Sequence, residues 1–117
     1  MIAPPFRPVL AWALGILCVT SVPGASIPRG TTFPGLDKVI HGAMYFGLGR
    51  AAIRAAGSAP WKVLAAVGTF AALDEAHQEW IPGRSGDVGD WVADVAGATL
   101  GIAGFRARGR QELVRES

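Results

Sequence analysis

The sequence predicts an all-α fold: a four-helix transmembrane bundle with antiparallel neighbours and both termini cytoplasmic. Three observations predict it. Four apolar segments are separated by breaks rich in proline and glycine. Half of the 117 residues are hydrophobic and only 17% are charged, where soluble domains carry about 25%. The charges also gather at segment ends. Residues 39–49, 63–73 and 95–105 contain no formal charge, whereas a helix of a soluble bundle bears polar residues along one whole face. Mean hydropathy is +0.34. The length suits a single domain spanning residues 1–117.

The first span is expected at residues 7–24. No charge falls between Pro8 and Pro28, and Pro23 with Gly24 ends the run. About 20 helical residues cross a hydrocarbon core of about 30 Å. A cleaved signal peptide competes for this segment, because Arg7, an apolar run and the small residues of VPGAS have that order. Cys18 lies inside the run, where a free cysteine is expected to pack as a small hydrophobe. Residues 27–35, with Pro28, Gly30, Pro34 and Gly35, read as a loop.

The remaining three segments are apolar with polar ends. Residues 36–54 carry Asp37, Lys38 and His41 at one end and Arg50 and Arg54 at the other. Residues 59–80 are apolar through Leu73 and then read DEAHQEW. Pro82, Gly83 and Gly86 break residues 80–89. Residues 89–105 begin acidic and become wholly apolar, and they contain Gly97-Ala-Thr-Leu-Gly101. This GxxxG spacing lets a helix pack closely, inside the bundle or against a second copy in a homo-oligomer. The basic tail after Phe105 either holds anionic lipid head groups or only enforces topology.

Charge sets the orientation. With four spans, Arg7, Arg50, Arg54, Lys62, Arg106, Arg108, Arg110 and Arg115 share one side, leaving only Arg29, Lys38 and Arg84 of the eleven basic residues on the other. Basic residues are retained in the cytoplasm, so the termini are expected there. Acids contribute little to orientation, yet all except Glu112 and Glu116 fall on the outer side. That second asymmetry points to a function.

The acids align with other polar residues at helical spacing. Asp37, His41 and Tyr45 recur every four residues, Asp74 and Glu75 lie one turn from Gln78, and Asp87, Asp90 and Asp94 form a stripe. An Asp at the centre of an inserted helix costs about 2.5–3.5 kcal/mol. Three such stripes therefore need partners, and Lys38, Arg84 and His41 are the cations or donors at hand. By default an intramembrane ionisable residue marks a functional site; a structural network that only specifies packing is the plainer alternative. The loop PGRSGD could add a backbone nest for an anion beside Arg84.

These residues resemble the VanZ-like family of small bacterial membrane proteins. The resemblance lies in Asp37-Lys38-x-x-His41-x-x-x-Tyr45, in Asp74-Glu75-x-x-Gln78 leading to Pro82-Gly83-Arg84, and in Asp90-x-x-x-Asp94-x-x-Gly97-x-x-x-Gly101. It covers residues 36–101, the motif-bearing core. Asp94 stands where that pattern usually has Asn, which adds an acid to the cluster. The resemblance implies an outward-facing site at the cell envelope, in a family named for a protein associated with low-level teicoplanin resistance. It brings no cofactor and no reaction.

The expected ligand-binding set is Asp37, Lys38, His41, Tyr45, Asp74, Glu75, Gln78, Arg84, Asp90 and Asp94. The expected partners are membrane lipids and a lipid-linked envelope ligand, with no nucleic acid, metal or cofactor. A binding module ranks first, followed by a structural subunit, an enzyme using His41 and the carboxylates, and an ion-coupled transporter.

Overall fold

The computed structural model describes residues 4–21, 36–57, 59–81 and 88–116, with the side chains of Pro4, Leu36 and Asp37 excepted. Asp37's side chain, Arg84, Asp87 and the PGRSGD loop therefore lie outside the described residues, as do residues 27–35. The fold is all-helical. After a short 3-10 turn at Pro4–Phe6 come α1 (Arg7–Thr20), α2 (Leu36–Ala56), α3 (Pro60–Gln78) and α4 (Val88–Glu116).

Local chemistry explains the sharpest connection. Gly57 takes φ +74 and its N–H bonds Ile53 O at 2.9 Å, closing α2 with a left-handed residue. Pro60 opens α3 two residues after Ser58, where its missing N–H costs nothing. α2 thus runs two residues beyond the Arg54 end read from the sequence. α4 exceeds its expected end by more. The basic tail does not leave the helix at Phe105 but continues it to Glu116, with Arg108 Nε 3.4 Å from Glu112 one turn on.

α2 and α4 make the closest interface and run parallel, since Lys38 meets Asp90 and His41 meets Asp94 in ascending order. α3 runs antiparallel to α2, with Tyr45 beside both Phe70 and Asp74. Gly97 and Gly101 press on α2 so tightly that a Cβ on either would overlap the carbonyl oxygens of Gly42 and Phe46. Gly49 meets the Ala98 carbonyl in the same way from the α2 side. The GxxxG pair is therefore spent inside the bundle. Gly104, the next small residue along, has open space around it.

α1 packs along Val9, Ala13, Ile16 and Thr20, one stripe at helical spacing, while Trp12 covers Gly47 of α2. Cys18 is off that stripe. The expectation that it packs inside is corrected: it is exposed. A uniformly apolar run does not tell which of its faces meets a neighbour.

The core has two halves. Leu48, Ile53, Val63, Val67, Ala71, Ala98 and Ile102 fill one with apolar side chains. Thr20, His41, Asp74, Glu75, Gln78, Asp90 and Asp94 are buried in the other. Meanwhile Leu14 (53% exposed), Leu73 (65%) and Leu100 (64%) face outward. Among the described residues, no helix is long and apolar enough to cross a membrane. α1 has 14 residues, about 21 Å of helix, and the other three carry the polar residues that fill the buried cluster.

Gly97→Ala and Gly101→Ala should each destabilise the bundle by about 1–3 kcal/mol, because a rigid backbone carbonyl must move. Gly104→Ala should be neutral or stabilise by up to about 1 kcal/mol, the helix preference for alanine. Thermal loss of helical circular dichroism separates the two classes.

Candidate functional site

The polar half of the core is layered along α2, whose residues 38, 41 and 45 point the same way. About 10 Å of helix separates Lys38 from Tyr45, and each residue between the rim and the floor meets a different set of acids.

At the rim Lys38 Nζ donates to Asp90 Oδ1 at 3.0 Å. The Lys38 side chain is 49% exposed and that of Asp90 8%, so the ammonium sits at the mouth and the carboxylate inside it. Below them His41 Nδ1 lies 2.8 Å from Asp94 Oδ1 and 3.9 Å from Glu75 Oε1. Where Asp94 is ionised it only accepts, and the Nδ1 then carries the proton and donates. Gln78 Nε2 donates to Glu75 Oε1 across 3.4 Å, a long bond between residues one turn apart on α3.

The deepest layer belongs to Asp74. Its Oδ2 accepts from the Tyr45 hydroxyl at 3.2 Å and its Oδ1 accepts from Thr20 at 2.7 Å. Thr20 has one proton and also lies 3.0 Å from Ile16 O; the shorter, charge-assisted contact is the stronger acceptor. Phe70 closes the floor, its ring tilted at 46° to Tyr45 with centroids 6.1 Å apart.

Eight of the ten expected residues are thus brought together: His41, Tyr45, Asp74, Glu75, Gln78, Asp90 and Asp94 are buried, and Lys38 bonds Asp90 at the rim. Asp37 and Arg84 cannot be placed within the described residues. His77, in the same DEAHQEW segment, faces outward. One participant was not in the expected set. Thr20 comes from the apolar first helix, and its only signal is a hydroxyl at the helical spacing of the α1 packing stripe.

Among the described residues the cluster holds four buried carboxylates, on Asp74, Glu75, Asp90 and Asp94. Asp94 is fully buried, and its Oδ2 has no hydrogen-bond partner among the described residues. An acceptor in that condition costs about 1–3 kcal/mol. Chemically the arrangement offers acceptors to a donor-rich group, a histidine held by an acid, and the flexible Lys38 ammonium at the entrance.

Thr20→Val, which keeps shape and removes the hydroxyl, should cost about 1–3 kcal/mol by leaving Asp74 Oδ1 short of a donor. In an Asp74→Leu background that loss should largely vanish, as a thermal-unfolding double-mutant cycle would report. Additive losses would contradict the pairing.

Comparison with known proteins follows the same residues. The chain matches the VanZ/LLP1 family over residues 8–109, which takes in α1 as well as the three motif-bearing helices. No curated protein and no solved structure matches it. With nearly the whole chain covered, the protein belongs to the VanZ/LLP1 family.

Proposed function

We propose that this protein is a membrane-embedded binding module whose polar cluster faces the outer surface and holds the head group of a cell-envelope lipid or a lipoglycopeptide-related ligand. One observation carries the reading: around the polar half of the core the usual partition is inverted. Acids, histidine and glutamine are buried between helices, while Leu14, Val39, Leu73, Val92 and Leu100 are exposed on their outer faces. In water that arrangement wastes apolar surface; against acyl chains it exposes what lipid accepts. A helix with a polar inner stripe has a low mean hydropathy however apolar its outer face.

The ligand class follows from the side chains. Four carboxylates favour amines and hydroxyls, such as those of amino sugars and aminoacyl groups, and Lys38 at the mouth suits a phosphate. An apolar cleft of about 490 Å³ between α1, α2 and α3, lined by Val9, Ala13, Leu48, Val63 and Phe70, offers room for an acyl chain alongside the bundle. The family's association with teicoplanin tolerance agrees with a site for envelope ligands. The basic residues at the opposite end favour cytoplasmic termini.

Membranes washed with alkaline carbonate should retain the chain, and a C-terminal reporter should be active only on the cytoplasmic side; release into the wash, or an external reporter, would remove this reading. Lipids that co-purify with the wild-type protein should differ from those with Glu75→Gln. Identical profiles would leave the cluster without a head-group role.

A further inference from the structure

Three helices each bring one metal-ligating side chain to the middle of the cluster. Single ligand atoms of His41 on α2, Glu75 on α3 and Asp90 on α4 all lie within 4.8 Å of one another. Three ligands of a tetrahedral cation with bonds of about 2.0–2.2 Å stand about 3.3–3.6 Å apart, so side-chain movements of up to about an ångström close the triad. We propose that His41, through Nε2, with Glu75 and Asp90 forms a binding site for a divalent transition-metal cation, and that Asp94 on Nδ1 is the carboxylate that orients the ring. One imidazole with two carboxylates suits Zn²⁺ or Mn²⁺ better than Ca²⁺ or Mg²⁺, which prefer oxygen alone.

A second observation, at a residue outside the triad, bears on the same histidine. Asp94 is fully buried and holds His41 Nδ1 at 2.8 Å, yet its other oxygen has no partner among the described residues. A carboxylate behind a ligating histidine fixes the ring and raises its basicity. An unpartnered carboxylate oxygen inside a protein calls for positive charge nearby. Lys38 meets Asp90, but its half-exposed side chain stands at the rim, and its flexible stem lets the ammonium withdraw when a cation takes the carboxylate. The bound cation would also give a head-group phosphate a partner within the cluster. That consequence rests on the head-group site proposed above; the cation site does not.

The test uses the metal alone. Untagged full-length protein, purified in detergent and stripped with a chelator, should bind one Zn²⁺ or Mn²⁺ per chain. Glu75→Gln and Asp90→Asn should each weaken binding at least about 10-fold, and Asp94→Asn about 10–100-fold as an orienting residue. His77→Ala should leave affinity unchanged, since that side chain faces away from the cluster. Because His41 and His77 are the chain's two histidines, Mn²⁺ bound to the His77→Ala protein should show imidazole nitrogen coupling in pulsed paramagnetic resonance. That measurement leaves the cluster intact, so a misfolded cluster variant does not obscure it. Absence of stoichiometric binding, or of the nitrogen coupling, overturns the cation site and leaves the head-group reading standing. Metal binding with unchanged lipid profiles does the reverse.

Discussion

The near contact between the backbones of α2 and α4 is the constraint on which the rest depends. Two helices that run parallel can slide along each other unless something fixes their register. Here Gly97 and Gly101 seat against the carbonyls of Gly42 and Phe46, and Gly49 seats against Ala98. That seating leaves one alignment, in which Lys38 stands beside Asp90 and His41 beside Asp94. Backbone contact of this kind draws on dispersion and on the absence of side chains, not on burial of oily surface. It therefore holds the helices together whether water or acyl chains surround them.

Given that register, the buried acids become tolerable because each of them finds a donor. Asp74 is served by Thr20 and Tyr45, Asp94 by His41, Asp90 by Lys38, and Glu75 by Gln78. The donors come from α1, α2 and α3, so all four helices are tied to the cluster. Loss of one partner in such a network leaves a charge uncompensated, which costs more than the pair contributed. The apolar half below, from Leu48 to Ile102, has no such demands and can absorb conservative changes of volume.

Much of this was legible in the sequence, and the limits have physical causes. Spacing put His41 and Tyr45 on one face, Glu75 and Gln78 on another, and Asp90 and Asp94 on a third, because helical geometry alone fixes which side chains share a face. The glycines at 97 and 101 announced close packing, but not that α2 would be the partner. Pairing between helices depends on register, which no single segment encodes; hence Asp74 with Thr20 was not foreseen. The continuation of α4 through its basic tail was hidden for another reason. Charged residues at (i, i+4), such as Arg108 and Glu112, support a helix that has nothing to pack against. An apolar count alone stops where the last hydrophobe stops.

The exposure of Cys18 gives the molecule a built-in attachment point. It is the only thiol in the chain, on the outer side of α1 and two residues from Thr20, whose hydroxyl reaches the floor of the cluster. A spin label or fluorophore placed there needs no substitution and displaces no buried partner. It would ride on the helix whose Thr20 bonds Asp74, and so would report movement of that helix against the glycine-seated pair.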